Sequence, residues 1–131
     1  MPLLSRWFIR TGLLYLLVAL TSSLVQALMP SGTTIAWPTH LHLLVVGWLT
    51  QLIFGVAYWM FPRYQSGLGL RFERLGWISY GCLNLGLLLR VAAESGPESS
   101  WLAESFVVSA LLQLIAGWVF VGTTWPRVRG R

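Results

Sequence analysis

The hydrophobic positions of this chain fall into four long runs, which short polar segments separate. The runs cover residues 8–29, 38–61, 75–93 and 101–124. Each has roughly the 20 residues that a helix needs to cross a hydrocarbon core about 30 Å thick. Membrane-spanning strands are shorter and alternate between apolar and polar positions, and these runs do not alternate. The pattern therefore predicts four transmembrane helices.

The segments between the runs are short, so consecutive helices are expected to lie side by side and antiparallel. Pro30, Gly32 and Pro38 break the first of these segments. Short links of this kind force an up-down-up-down arrangement. We therefore expect an all-α fold in which residues 1–131 form a single transmembrane four-helix bundle.

The composition also favours a membrane protein. Hydrophobic residues make up 56% of the chain and charged residues only 10%, whereas soluble domains usually contain about 25% charged residues. Cys82 is the single cysteine. The chain therefore has no intrachain disulfide and no C-x-x-C-H site, which excludes covalent attachment of a c-type haem.

The arginines indicate the orientation of the predicted bundle. Eight of the nine basic residues fall on one side of the membrane: Arg6, Arg10, Arg63, Arg71, Arg74, Arg127, Arg129 and Arg131. The links on the opposite side carry Glu94 and Glu98 and no basic residue. Because basic residues are enriched in cytoplasmic segments, both termini are expected in the cytoplasm. The net charge of +5 is thus a topology signal, and no nucleic-acid partner is expected.

The only two histidines, His40 and His42, lie in the first turns of the second helix, at its extracytoplasmic end. Imidazole is costly in hydrocarbon without a partner, and neutral imidazole is a common ligand of haem iron, copper and zinc. The alternative interpretation is an interfacial histidine that is bonded to a carbonyl group.

The spacing of the two histidines argues against a shared metal. At about 100° per residue, positions two apart point to nearly opposite sides of a regular helix. His40 is expected on a stripe of small and polar residues and His42 on an apolar stripe. The first stripe contains Gly47, Gln51, Gly55 and Tyr58, and the second contains Val45, Leu49, Ile53 and Val56.

Other ionisable groups are predicted near the histidines. Arg90 and Glu94 are four residues apart and can pair on one helix face, and Glu104 lies near the start of the fourth helix. Arg90 is expected either to form this interfacial salt bridge or to bind a carboxylate such as a haem propionate. Met29 ends the first helix on the same side, which leaves a copper site as an alternative.

Aromatic and polar residues add expectations about packing. Tryptophans near the helix ends, such as Trp37, are typical of an interfacial aromatic belt, whereas Trp48 and Trp118 lie deeper and are expected to pack inside. Polar residues within helices, such as Gln51 and Asn84, predict interhelical hydrogen bonds or, alternatively, a proton path.

The second helix also carries a recognisable motif. His40-Leu-His-Leu-Leu-Val-Val-Gly-Trp-Leu is followed by Ile53-Phe54-Gly55-Val56-Ala57-Tyr58 and by Pro62-Arg63. This segment resembles the H-x-H-L-x-x-x-G-W/F…I-F-G-x-x-Y segment of small four-helix bacterial proteins related to subunit I of the haem-copper oxidases. Those proteins lie near the cbb-type oxidases and the nitric oxide reductases.

The resemblance implies b-type haem in a bacterial inner (cytoplasmic) membrane, with His40 and His42 at the matching ligand positions. Arg90 is then expected to hold a propionate, and Trp37, Trp48 and Gly47 are expected to line the haem pocket. An oxygen- or nitric-oxide-reducing centre needs more histidines than this chain contains, so independent turnover is not expected.

The expected role is therefore electron transfer or the binding of a diatomic gas. A symmetric homodimer could bring one histidine from each protomer to one iron, and respiratory-chain proteins are candidate partners. The alternatives are a cofactor-free structural or assembly subunit of a respiratory complex and a copper-binding membrane protein.

Overall fold

Four helices contain nearly all of the residues that the computed structural model describes, which are residues 1–29, 36–61, 69–95 and 100–128. Helix α1 spans Leu3–Leu28, α2 spans Trp37–Met60, α3 spans Gly69–Ser95 and α4 spans Ser100–Val128. No strand occurs within these ranges. Each helix is long and apolar enough to cross a membrane. The predictions of an all-helical chain and of a multi-pass membrane protein are confirmed.

Three of the four helices are longer than the hydrophobic runs that predict them, whereas α2 has the length of its run. α1 begins at Leu3 instead of residue 8, α3 begins at Gly69 instead of residue 75, and α4 continues to Val128 instead of ending at residue 124. The backbone hydrogen bonds of a helix do not require apolar side chains, so a helix continues beyond the hydrocarbon core. Hydropathy therefore marks the lipid-embedded part of each helix and not its ends.

The four helices pack mainly as two pairs, α1 with α2 and α3 with α4. Glycine allows both approaches, because a Cβ atom on Gly47 would lie 2.8 Å from Cγ of Tyr15 in α1, and one on Gly86 would lie 3.1 Å from Cβ of Leu112 in α4. Ser109 also donates a hydrogen bond of 2.8 Å to the carbonyl oxygen of Gly86. Close backbone approach and hydroxyl bonds are the usual means of helix association in membranes.

An aromatic cluster forms the core where α1, α2 and α4 meet. The rings of Phe54 and Phe120 stack nearly parallel, with centroids 3.7 Å apart. The buried ring of Phe8 meets Phe54 edge-on at 5.9 Å and stacks on Tyr58 at 5.8 Å. Many other apolar side chains face outward, which costs little in a bilayer because lipid tails are as apolar as leucine.

The expectation that the deep tryptophans pack inside is wrong for Trp118, which is 71% exposed on the outer surface of α4. Trp48 is half-buried, so it packs inside in part. Depth in the membrane does not decide the direction of an aromatic side chain, because the lipid-facing surface of a helix accepts such a side chain as readily as the interior does.

Midway along the helices, polar side chains connect α1, α2 and α3. Gln51 is fully buried; its Nε2 donates to Oδ1 of Asn84 at 2.9 Å, and the hydroxyl of Tyr15 donates to the same oxygen at 3.1 Å. The hydroxyl of Thr11 donates to Oε1 of Gln51. The predicted interhelical hydrogen bonds of Gln51 and Asn84 are confirmed.

A wide turn interrupts α2 directly after the histidines. The α-helical residues Trp37–His42 are followed by a π-helical segment, Leu43–Thr50, and α-helical geometry resumes over Gln51–Met60. Every fourth residue from Thr39 to Gln51 is buried. In a regular helix of about 3.6 residues per turn, positions 39 and 51 would differ by roughly 120°. The π segment removes this difference, so both residues face the other helices.

Candidate functional site at the start of α2

The carboxylate of Glu94 in α3 contacts polar groups from the first turns of α2 and from its own helix. Oγ1 of Thr39 donates a hydrogen bond of 2.8 Å to Oε2 of Glu94. Nε of Arg90 donates to Oε1 at 2.9 Å, and Nδ1 of His42 lies 3.1 Å from the same oxygen. Only 7% of the Glu94 side chain is exposed. These three partners compensate the cost of removing the carboxylate from water.

The salt bridge between Arg90 and Glu94, which their spacing predicts, is confirmed. Cζ of Arg90 also lies 4.8 Å from the ring centroid of Phe106 in α4. This is a cation–π distance, so the guanidinium group is oriented by a carboxylate along one edge and by an aromatic ring against its face. The side chain of Arg90 remains 27% exposed.

His42 is held through one ring nitrogen. Its Nδ1 lies 2.7 Å from the carbonyl oxygen of Pro38 and 3.1 Å from Oε1 of Glu94. A carbonyl oxygen only accepts hydrogen bonds, so Nδ1 carries the hydrogen and donates it. In the neutral ring, Nε2 then holds the lone pair. Histidines that bind metals have this arrangement, with the other ring nitrogen hydrogen-bonded to a carboxylate or a carbonyl group.

His42 does not lie on the apolar, lipid-facing stripe that a regular helix predicts. The stripe itself is exposed over Val45, Leu49, Ile53 and Val56, whereas His42 turns toward Glu94 in α3 and keeps only 25% of its side chain exposed. The π segment that follows His42 causes the difference, because it turns the first part of α2 relative to the rest.

His40 faces a different helix. Its Nε2 lies 3.3 Å from Oγ of Ser23 in α1, and the ring of Trp37 stacks on it with a centroid distance of 6.1 Å. Trp37 itself is 71% exposed. The two imidazole rings are therefore directed toward α1 and α3, respectively, and they have different hydrogen-bond partners.

The remaining predicted residues lie apart from Glu94. Gly47 is buried against Tyr15 and Leu87, so these side chains fill the space beside it. Trp48 is half-buried one residue further along, and Glu104 is exposed near the start of α4. Met29, the candidate copper ligand, is 64% exposed at the end of α1. Of the predicted site residues, only His42 and Arg90 therefore meet at Glu94.

Sequence reasoning missed two parts of the site, the hydroxyl of Thr39 and the ring of Phe106. It did anticipate a carbonyl partner for an interfacial histidine, and for His42 that partner is the carbonyl oxygen of Pro38. Thr39 directly precedes the first histidine, but its direction depends on a π segment that no local signal predicts. Phe106 reaches Arg90 from another helix, and only the packing of α3 against α4 brings these two residues together.

Among residues 1–29, 36–61, 69–95 and 100–128, no group of three or more His, Cys, Asp and Glu side chains could hold a metal ion. Comparisons with protein-family models, with curated proteins and with solved structures found no match. The resemblance of α2 to oxidase subunit I rests on its motif alone.

Proposed function

We propose that this chain is a membrane protein that binds haem b, and that Nε2 of His42 would hold the haem iron. The hydrogen bond from Nδ1 of His42 to the carbonyl oxygen of Pro38, next to Glu94, is the observation that carries the proposal. It selects the tautomer in which Nε2 can bind iron, and partners of this kind raise the basicity of a ligating histidine. Haem would supply one-electron exchange or the binding of a diatomic gas.

Arg90, which shares the carboxylate of Glu94 with His42, fits the edge of a haem. Arg90 is already oriented by Glu94 and Phe106, and its terminal amino groups suit a propionate. The stacked pair of Trp37 and His40 supplies an aromatic surface at the membrane boundary. Trp48 is the candidate for a deeper wall of the pocket.

A second copy of the chain would complete the coordination of the iron. The side chain of His42 is 25% exposed, which would allow a second protomer to approach a haem held by this residue. In a symmetric dimer, His42 of the second protomer could hold the same haem. Two histidine ligands would favour electron transfer, whereas an open position would favour gas binding.

The proposal includes an antiparallel four-helix bundle in a bacterial cytoplasmic membrane, with both termini in the cytoplasm. Short links support the antiparallel arrangement. The positions of eight arginines in the sequence support the orientation, which places His42 and Glu94 at the extracytoplasmic boundary. Respiratory-chain proteins are the proposed redox partners.

The test compares two histidine variants. The protein is purified from cells supplied with haem, and the Soret absorbance per protomer is measured for the wild type, His42→Ala and His40→Ala. We expect His42→Ala to lose the Soret band and His40→Ala to keep it, with one haem per two protomers in the wild type. A His42→Ala variant that keeps full haem would show that His42 is not the ligand.

A second candidate function is a cofactor-free structural or assembly subunit of a respiratory complex. The observation that favours it is that Thr39, His42 and Arg90 already satisfy Glu94 within the chain. In that case the purified wild-type protein is colourless, and added haem leaves its thermal unfolding temperature unchanged. Metal analysis of the same sample separates both functions from a copper protein, which would contain stoichiometric copper.

A further inference from the structure

Helix α2 is attached to the other helices by polar contacts at two points, one before the π segment and one after it. At the outer point, Thr39 and His42 meet Glu94 of α3. At the inner point, the buried amide of Gln51 binds Thr11 of α1 and Asn84 of α3. Each point joins a buried polar group, Glu94 or Gln51, to its partners across the helix interface, so each favours one rotation of its part of the helix.

A regular α-helix cannot make both sets of contacts. Gln51 follows Thr39 by twelve positions, and at about 3.6 residues per turn these positions would differ by roughly 120°. The π segment Leu43–Thr50 absorbs the extra residue. Within it, the hydroxyl of Thr50 donates to the carbonyl oxygen of Val45, five residues earlier, at 2.8 Å. π-helical geometry is rare, and π-bulges within α-helices often occur at functional sites.

We infer that Gln51 is a positioning residue that fixes, through the π segment, the rotation at which His42 faces Glu94. Oε1 of Gln51 accepts from Thr11 in α1 and Nε2 donates to Asn84 in α3, so the amide joins α2 to both helices at once. Without these bonds the π segment relaxes to the more common α geometry, and the turn that contains Thr39 and His42 rotates away from Glu94. This inference concerns the His42–Glu94 contact and holds with or without haem.

The rate of thiol labelling can detect this rotation directly. In a Cys82→Ser background, a single thiol is introduced by Leu41→Cys or by Leu43→Cys; Leu41 is 42% exposed and Leu43 is 4% exposed. Each purified protein is treated with N-ethylmaleimide in detergent micelles, and the labelling rate at position 43 is divided by the rate at position 41. We expect Gln51→Leu to raise this ratio at least tenfold, because residue 43 turns out of the helix interface.

Gln113→Leu is the matched control. Gln113 is also a glutamine within a membrane-spanning helix, but its side-chain donor bonds to Ser109 in the same helix, at 3.4 Å. We expect Gln113→Leu to leave the labelling ratio at the wild-type value. An unchanged labelling ratio in Gln51→Leu would overturn the inference even if the haem test succeeds. The ratio depends on the rotation of the helix and not on haem binding.

Deleting Val45 distinguishes positioning from a general loss of structure. The deletion reduces the offset between residues 39 and 51 to eleven positions, which three α-helical turns accommodate at about 3.67 residues per turn. Added to Gln51→Leu, the deletion should return the thiol at position 43 to its protected state, which a merely unfolded variant would not allow. If Gln51→Leu does not fold, the Val45 deletion alone still tests the inference. In that variant the thiol at position 43 should remain protected, and rapid labelling of this thiol would contradict the inference.

Discussion

A single carboxylate holds polar groups from the first turns of α2. Glu94 has no basic partner on α2 other than His42, yet Thr39 and His42 both approach it across the helix interface. Arg90 supplies the positive charge from its own helix, one turn away. The cost of burying Glu94 is therefore shared between a hydroxyl, an imidazole and a guanidinium group, and the loss of Glu94 leaves all three without this acceptor.

Replacement of Glu94 should be among the most destabilising single changes at this end of the molecule. Glu94→Ala removes the acceptor of Thr39, His42 and Arg90 from a partly buried site, a change that costs roughly 1–3 kcal/mol. Glu94→Gln should cost less, because an amide oxygen still accepts a hydrogen bond from Thr39 or Arg90. The measurement is the free energy of unfolding in mixed micelles with added denaturant.

Glu104→Gln is the control for this series, because Glu104 is an exposed carboxylate on α4. Its effect should stay within about 0.5 kcal/mol, as is usual for surface substitutions. If Glu94→Ala proves as stable as Glu104→Gln, the hydrogen bonds to Glu94 do not contribute to folding.

Glycines separate the helix surfaces that pack against protein from those that do not. A Cβ atom on Gly47 would meet Tyr15 at 2.8 Å and Leu87 at 3.0 Å, whereas one on Gly117 in α4 would meet no atom within 4 Å. The two positions have the same residue type and similar neighbours in sequence. Their surroundings differ because α2 has helices on several sides and the surface of α4 around Gly117 does not.

Alanine at these two glycines should therefore have opposite effects. Gly47→Ala pushes α1 and α2 apart and should destabilise the protein by about 2 kcal/mol, as overpacking usually does. Gly117→Ala should be neutral or stabilising by up to about 1 kcal/mol, since alanine favours helix over glycine. Thermal unfolding of both variants in the same detergent provides the comparison, and equal losses would show that Gly47 is not at a tight contact.

The distribution of charge over the whole molecule predicts its orientation. A fluorescent protein fused after Arg131 should fold and fluoresce in the cytoplasm, and alkaline phosphatase at the same position should be inactive, because both termini are proposed to be cytoplasmic. Fusion after Ser95, at the other end of α3, should give the reverse result and serves as the internal control. Active phosphatase at Arg131 would place His42 on the cytoplasmic side.

The four membrane helices and the pairing of Arg90 with Glu94 could be predicted from the order of residues. The thickness of the bilayer and the need to satisfy backbone hydrogen bonds act on any apolar run of this length, and residues four apart in a helix are neighbours whatever surrounds them. These features depend on short-range periodicity, which the sequence contains in full.

The direction of Thr39 and His42 could not be predicted in this way. It follows from the π segment between the contacts of Glu94 and Gln51, and these contacts join helices that are far apart in the chain. The rotation of a membrane helix is set by packing against its neighbours and not by its hydropathy. The exposure of Trp118 has the same origin, because lipid and protein interior are equally apolar and only the arrangement of the helices distinguishes them.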